Sequence, residues 1–446
     1  MLLIYKQRNV DIIIRLKQAA RQIGLGLFLT QPLSSLANES QLIYSSDSIH
    51  ASQLVAEILT ANPQMEVVQA VWEASATKSA SESAWADPQF RYTMAPLTIG
   101  SNETSYGQRF ELSQKISWPG KLRLRGEVAD HQAHAQYENI AAVKLMLASM
   151  AKSLFADWYF IYRSIEINKV NQDLFDEFRH SAVTRYGAGL ASKQDALRAD
   201  VERNLLKHQA IVLRREQQTI LARINTLLNR PPDAFIPPPH SLAEIKSLPE
   251  LKGLRIRALQ SRPELKVMIA TIDASRAQVE LAELEYYPDF NVSAGYNSLW
   301  ENEDKRFTVG VGVNLPLWQA KRNAAEKEAQ AKVKQARWRK TELEAKINEE
   351  LQIAYVRVEE SLHVLKLYRE QLTPLADADL NAARADYQAG KSDFLTLISS
   401  EKNRMQTQLQ TEQAMADTYR RFAELEYAVG SIEAISLDEQ LRGIQP

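Results

Sequence analysis

An internal repeat of about 200 residues constrains the fold more than any other feature of this sequence. Asn62-Pro63 recurs as Arg262-Pro263, and Pro88-Gln89-Phe90 recurs as Pro288-Asp289-Phe290. Tyr186-Gly187-Ala188-Gly189 matches Tyr387-Gln388-Ala389-Gly390 after a shift of 201 residues. Solenoid repeats have much shorter periods, of about 20–50 residues. These motifs therefore indicate two copies of one large supersecondary unit.

The repeat predicts the organisation of the chain. The first copy occupies residues 45–229, and the second occupies residues 253–431. Residues 230–252 between them are rich in proline, including Pro237-Pro238-Pro239, and neither a continuous helix nor a central strand tolerates such a run. We expect this connector, an equatorial region between the copies, to be irregular. Residues 432–446 are expected to form an irregular C-terminal tail.

Each copy reads as helix, strand, strand, helix. The strands are predicted from apolar residues that alternate with polar ones, which gives a strand one apolar and one polar face. These alternating apolar residues are Phe90, Tyr92 and Met94, then Phe110, Leu112, Ile116 and Trp118, then Phe290, Val292, Ala294 and Tyr296, and finally Phe307, Val309, Val311, Val313 and Leu315.

Such strands have two interpretations. They can form a soluble sheet packed on a helix, or the wall of a membrane barrel with lipid on one side and water on the other. Aromatic residues cluster at the strand ends, as in barrel girdles. Four strands cannot close a pore of useful width, so a barrel requires several chains. The clustered aromatic residues are Trp85, Tyr106, Trp118, Tyr286, Tyr287, Trp300 and Trp318.

Apolar residues spaced three and four apart predict two very long amphipathic helices, from about Gly120 to Arg185 and from about Gln319 to Asp386. A helix of about 65 residues is on the order of 100 Å long. Each helix ends in a Tyr-x-Ala-Gly turn and is followed by a return helix, to about Asn229 and about Val429. The sequence thus predicts two long αα-hairpins, each with a glycine at its tip.

Residues 1–37 have the pattern of an export signal. Basic residues precede the apolar stretch Ile23–Leu29, and Ser35-Leu36-Ala37 suits cleavage after Ala37. The alternative is an amphipathic or disordered start to a cytoplasmic protein. After residue 37 no run of about 18 apolar residues exists, so no transmembrane helix is predicted.

Composition excludes several kinds of chemistry. The chain has no cysteine, and its 54 basic and 55 acidic residues leave a net charge of −1, which argues against nucleic-acid binding. His131 and His134 have a spacing that can bind a metal, but an exposed helical face is favoured. Met146 and Met150 have a spacing that suggests a soft-metal stripe, but core packing is favoured. We find no catalytic, cofactor or metal motif, and predict neither an enzyme nor a bound cofactor.

The duplicated layout resembles the TolC-like outer-membrane efflux family, with similarity from about residue 45 to residue 431. The two Tyr-x-Ala-Gly turns resemble the tip motif of that family. So do Gln371-Leu372-Thr373-Pro374-Leu375-Ala376 ahead of the second tip, Lys391-Ser392-Asp393-Phe394-Leu395 after it, and the Pro-x-Phe entry to each strand pair. No single motif is specific, but their order and duplication are.

The resemblance implies a mainly α fold with a small β part. Three protomers would form a 12-stranded transmembrane β-barrel in outer-membrane lipid, continued by a long α-helical barrel in the periplasm. A periplasmic adaptor and an inner-membrane pump of the resistance-nodulation-division class would dock at the helical tips. On this chain the tips carry Tyr186, Gly189, Tyr387 and Gly390.

Some relatives carry acidic rings just inside the tips. Asp195 lies at the matching place in the first copy, whereas the second copy has Thr396, so the pattern is only half present. Asp386 and Asp393 could supply charge nearby. We treat Asp195, Asp386 and Asp393 as a candidate pore gate, with solvated helix ends as the alternative interpretation.

The sequence therefore predicts a passive outer-membrane channel of a tripartite efflux system. Residues 371–376 and Trp118-Pro119-Gly120-Lys121 look most like members that serve heavy-metal pumps, so heavy-metal cations are the expected substrate. A multidrug efflux or type I secretion duct is the nearest alternative. A soluble coiled-coil scaffold is the alternative from a different functional class.

Overall fold

A computed structural model describes residues 48–99, 107–245, 247–300 and 303–431. The predicted signal peptide, the C-terminal tail, Tyr106 and most of the loop before it lie outside the described residues.

The order of elements is repeated along the chain. The first copy contains α1 (Ala51–Ala61), α2 (Pro63–Glu82), β1 (Gln89–Ala95), β2 (Gly107–Ile116), α3 (Lys121–Gly187) and α4 (Lys193–Leu227). The second contains α5 (Leu251–Ser261), α6 (Pro263–Leu284), β3 (Phe290–Asn297), β4 (Phe307–Val313), α7 (Gln319–Leu367), a π-helical turn (Tyr368–Leu372), α8 (Thr373–Gln388) and α9 (Phe394–Val429).

The repeated X-Pro pair marks the same helix break in both copies. Pro63 and Pro263 open α2 and α6, because a proline in the first helical turn lacks only an N–H that would have no partner there. The preceding Asn62 and Arg262 are extended, with ψ angles of 122° and 119°. The Asn62 side chain also caps α2 by accepting a hydrogen bond of 2.9 Å from the Gln64 N–H.

The four strands form one antiparallel sheet in the order β1-β2-β3-β4. The register places apolar residues opposite apolar residues, so that Phe110 faces Tyr92 on one side and Tyr296 on the other. On β4, Phe307, Val309 and Val311 are 77%, 82% and 70% exposed. The predicted two-faced strands are confirmed.

Two predicted strand ends were too long. β2 stops at Ile116 and β4 at Val313, so Trp118 and Leu315 lie outside the strands. Pro119 and Pro316 follow these two residues. A proline cannot donate a hydrogen bond to a strand ladder, so pairing ends where each chain segment turns towards its helix.

The predicted long helices are present. α3 has 67 residues, which corresponds to about 100 Å. The second long helix was expected to be continuous to Asp386, but the π-helical turn at Tyr368–Leu372 separates α7 from α8. Pro374 lies in the first turn of α8. Its missing N–H and bulky ring disturb the regular hydrogen-bond ladder there, which accounts for the altered turn.

One expectation about membrane-spanning helices was wrong. α3 contains a stretch that is long and apolar enough, by length and composition alone, to cross a membrane, with a mean hydropathy of 1.3. In the structure α3 packs against α2, α4, α6 and α9. Its buried apolar residues, such as Leu147, Phe155 and Trp158, therefore face other helices.

The connector after α4 is irregular, and it is held by its own backbone. The Ile49 N–H donates to the Pro238 carbonyl at 2.9 Å, and the His240 N–H donates to the Ile49 carbonyl at 2.8 Å. The buried Trp158 indole donates to the Pro237 carbonyl at 2.9 Å. Prolines have no N–H but keep a carbonyl acceptor, so the proline run binds the start of the chain and α3.

A buried ion pair joins the sheet to the helices. The Lys121 ammonium is 3.0 Å from Asp289 Oδ1 and also donates to the Tyr287 carbonyl at 3.0 Å. The Trp118 N–H donates to the same Asp289 oxygen at 3.0 Å, and its ring stacks on Tyr287 and Phe290. Asp289 thereby fixes the end of β2, the start of α3 and the start of β3. We call these five residues the junction cluster.

We predict that Asp289→Asn lowers the free energy of unfolding by about 3 kcal/mol, because it leaves the Lys121 ammonium buried without an opposite charge. Urea unfolding of the purified protein in detergent measures this change. Lys115→Met is the control: Lys115 is 3.8 Å from the same carboxylate but 60% exposed, so its loss should cost less than about 1 kcal/mol. Equal effects of the two substitutions would contradict the prediction.

The same contribution is expected to depend on pH. Burial raises the pKa of Asp289, but the hydrogen bonds from Trp118 and Lys121 outweigh it and leave the pKa below its usual value. The stabilisation is then fully present above the unfolded-state pKa of about 3.9 and is lost as the pH falls through the lower folded-state value.

Candidate functional site

The two helical tips are built by the same turn. At the first tip the Leu190 N–H donates to the Arg185 carbonyl at 2.8 Å, and at the second the Lys391 N–H donates to the Asp386 carbonyl at 2.8 Å. Gly189 and Gly390 have φ angles of +73° and +72°. Glycine adopts this left-handed conformation without steric cost, as glycine-ended helices require. The predicted glycine caps are confirmed.

The candidate gate aspartates mostly serve these turns. Asp195 forms a capping box with Ser192, in which its carboxylate accepts a hydrogen bond of 3.2 Å from the Ser192 N–H. Asp393 caps α9 and accepts hydrogen bonds of 2.9 Å and 2.7 Å from the N–H and hydroxyl of Thr396. These bonds, the hydroxyl's first, hold the pKa of Asp393 below its usual value.

Asp386 differs from the other two aspartates. It is exposed, and the structure gives its carboxylate no ion pair or hydrogen bond among the described residues. Of the three candidates, it is therefore the one whose charge is not engaged in a helix cap.

The two tyrosines of the repeated motif have different environments. Tyr186 is 50% exposed, whereas Tyr387 is only 8% exposed. The Arg185 guanidinium lies 4.7 Å from the centre of the Tyr387 ring, a cation–π distance. Burial raises the pKa of the Tyr387 hydroxyl, the Arg185 charge opposes that rise, and the Asp195 carboxylate adds to it. This contact connects the tip of the first hairpin to that of the second.

An apolar cluster next to the tips continues that connection. Tyr387 packs on Phe394 with ring centres 5.4 Å apart, and Phe394 packs on Phe178 at 6.4 Å. Further buried members come from all four hairpin helices, and we call the set the tip core. They are Phe175, Ala182, Ala199, Leu206, Leu380, Ala383, Leu397 and Ile398.

The sequence analysis missed Arg185 and the tip core. The signal for Arg185 was its place directly before the first Tyr-x-Ala-Gly turn. Its contact with the other copy could not be read from local spacing, because the two residues are 202 positions apart. The aromatic residues were visible only as part of a helical apolar pattern.

The other candidate ligands remain apart from any cluster. His134 pairs with Glu138 at 3.7 Å, and within the described residues no group of three or more His, Cys, Asp or Glu side chains could hold a metal ion. Met150 was expected in the core but is 49% exposed. It lies on the far side of α3 from its buried neighbours Leu147 and Ala151.

Comparison with known proteins identifies the kind of molecule that has these features. Residues 254–431, nearly the whole second copy, match the family model for outer membrane efflux proteins. The chain belongs to the outer membrane efflux protein family. Members are outer-membrane channels rather than enzymes, and membership places this protein in the outer membrane with its helices extending into the periplasm.

Similar efflux proteins align along most of this chain. Nodulation protein T of Rhizobium leguminosarum bv. trifolii is 20% identical over 367 residues, which cover 75% of this chain and 77% of that protein. The cobalt-zinc-cadmium resistance protein CzcC of Cupriavidus metallidurans is 20% identical, with coverage of 76% and 80%. The solved outer-membrane channel OprN superposes with a TM-score of 0.72 at 20% identity, covering 85% of this chain and 90% of that one.

We predict that Gly189→Ala reduces the stability of the first tip by about 1 kcal/mol, because it puts a side chain in the left-handed conformation. The matched control is Gly187→Ala, two residues earlier, where the backbone is helical and no atom lies within 4 Å of an added Cβ. Alanine is a better helix former than glycine there. Hydrogen exchange of the amides from 184 to 192 should rise only in Gly189→Ala. A similar rise in both variants would argue against the conformational cause.

Proposed function

We propose that this protein is the outer-membrane channel of a tripartite efflux system and acts as a homotrimer. Three sheets of four strands would close into a 12-stranded barrel, and the hairpins would continue it as an α-helical barrel into the periplasm. The chain itself would conduct passively, without catalysis or a bound cofactor.

The observation that carries this proposal is the uncovered apolar face of the sheet. On β4 three large apolar side chains are at least 70% exposed, and β1 and β4 are edge strands with no further partner among the described residues. Exposed apolar edges cause aggregation in water. Closure with neighbouring sheets satisfies the edge hydrogen bonds, and lipid covers the apolar face.

The opposite face of the sheet suits an aqueous lumen. Its cross-strand pairs are polar or small, such as Arg91 with Glu111 and Ser113 with Ser293. This arrangement also disfavours the soluble scaffold interpretation, because a soluble sheet would bury its apolar face against a helix.

We propose heavy-metal cations as the substrate, supported by the similarity to the cobalt-zinc-cadmium resistance protein CzcC. Multidrug efflux is the alternative, supported by the similarity to a putative multidrug resistance outer membrane protein, MdtQ of Shigella flexneri, which is 23% identical over 256 residues. Type I secretion remains a further alternative. The pump would be of the resistance-nodulation-division class.

The substrate is tested in cells that lack the gene. Cells without the channel are expected to become hypersensitive to a cobalt, zinc, cadmium, copper or silver salt and to accumulate that metal, since export stops while uptake continues. Growth curves and intracellular metal content are the measurements, with the restored gene as control. Sensitivity confined to dyes, detergents or antibiotics would reject the metal proposal and leave a multidrug channel.

We further propose that the adaptor docks at the tips, around Tyr186, Gly189, Tyr387 and Gly390, and that Asp195, Asp386 and Asp393 line the gate. Tyr186 and Leu190 are 50% and 70% exposed there. Large exposed apolar side chains of this kind are suited to contact a partner.

We predict that Tyr186→Asp abolishes export in cells but leaves the conductance of the purified protein in planar bilayers unchanged, because it puts a charge in the docking surface and not in the channel wall. Tyr186→Phe, which keeps the apolar ring, is the control and should export normally. Normal export by Tyr186→Asp would remove Tyr186 from the docking surface.

A further inference from the structure

A carboxylate is buried within the second hairpin, eleven residues beyond Gly390 on α9. Glu401 is 0% exposed. Its Oε1 accepts a hydrogen bond of 3.1 Å from Arg404 Nη1, whereas its Oε2 has no hydrogen-bond partner among the described residues. A buried carboxylate that is only half satisfied is costly in its charged form.

Arg404 has a second carboxylate partner on the other helix of the same hairpin. Its Nε donates to Asp377 Oδ1 at 2.8 Å, and this bond links α9 to α8. One guanidinium thus serves both Glu401 and Asp377, so that the charge on Glu401 affects a contact between two helices.

Other charged groups surround this pair. From α8, Arg384 acts electrostatically on Glu401. From α3, Asp173 and Glu177 line a cavity of about 590 Å³ together with Asp377, Arg384 and Arg404. From α4, Glu202 binds Lys402 of α9 at 3.0 Å. The acidic groups on α3 and α8 add to the cost of a negative charge on Glu401.

Glu401 also borders the tip core. Leu397 and Ile398 lie one turn before it on α9 and are 2% and 3% exposed. At about 1.5 Å per residue, Glu401 is roughly 16 Å along the helix from the glycine of the tip. A change in charge here acts where the two hairpins pack against each other.

We propose that Glu401 is a proton-responsive lock between α8, α9 and α3. When Glu401 is neutral, Arg404 is committed to Asp377 and the hairpins pack tightly around the tip core. When Glu401 is ionised, it competes with Asp377 for Arg404 and brings an unmatched charge into the packed region, which loosens the tip half of the hairpin.

The direction of the pH effect follows from the surroundings. Burial raises the pKa of Glu401 and Asp377 adds to the rise, against the opposing effect of Arg404 and Arg384. For an acid with a raised folded-state pKa, the stabilisation is fully present below the unfolded-state value of about 4.3 and is lost as the pH rises through the folded-state value. The lock is therefore closed in acid and weakened towards neutral pH.

Hydrogen exchange of the full-length purified protein tests the lock. Glu401→Gln is neutral at every pH, so its amides in α8 and the first half of α9 should exchange more slowly than wild type at pH 8, by about threefold to tenfold, and equally at pH 5. Comparison at the same pH cancels the intrinsic exchange rate. Glu424→Gln, at a 44% exposed position on the same helix, is the matched control and should behave as wild type.

A second variant guards against a purely structural effect. Asp377→Asn removes the competing acid, so Glu401 gains Arg404 and its pH transition should move to lower pH even if overall protection falls. A Glu401→Gln effect of equal size at pH 5 and pH 8, no effect at pH 8, or a transition that Asp377→Asn leaves in place would overturn the proposal. Hydrogen exchange requires neither substrate nor adaptor, so this result is independent of the export experiments.

Discussion

The pairing of β2 with β3 is the interaction on which the architecture depends. These strands come from different copies of the repeat, and Phe110 and Tyr296, opposite each other in the ladder, are 186 residues apart. Neither copy has more than two strands, and a two-stranded hairpin is at best marginally stable alone. The sheet therefore exists only if both copies are in place. The junction cluster strengthens this requirement, because Lys121 belongs to one copy and Asp289 to the other.

Much of the fold could be predicted from the sequence because its signals are local and repeated. Alternation over seven to ten residues gave the strands, and apolar spacing over more than sixty residues gave the helices. The errors lie where a single residue overrides a periodic pattern. Pro119, Pro316 and Pro374 ended two strands early and altered one helix, since proline removes a donor that the regular ladder requires.

The candidate site was less predictable because its important contacts join distant residues. The glycines at the tips follow from a motif, and the structure confirms their conformation. The contact of Arg185 with Tyr387 and the burial of Glu401 depend on how two hairpins pack, which no local pattern encodes. The repeat even misleads here: Tyr186 and Tyr387 occupy equivalent places in the sequence, but one is half exposed and the other is buried. Duplicated sequence thus supports two different environments within one protomer.

The π-helical turn explains a small irregularity in the duplication. Equivalent residues are offset by 199 positions at the ends of β2 and β4 but by 201 at the tips, so the descending helix of the second copy has gained two residues. In a straight α-helix each inserted residue rotates every later side chain by about 100°. A wider turn, with its hydrogen bonds to the fifth residue, takes up an extra residue. The turn at Tyr368–Leu372 therefore absorbs part of the insertion and helps Leu380, Ala383 and Tyr387 remain directed at the tip core. The second copy could lengthen without losing the face that holds the two hairpins together.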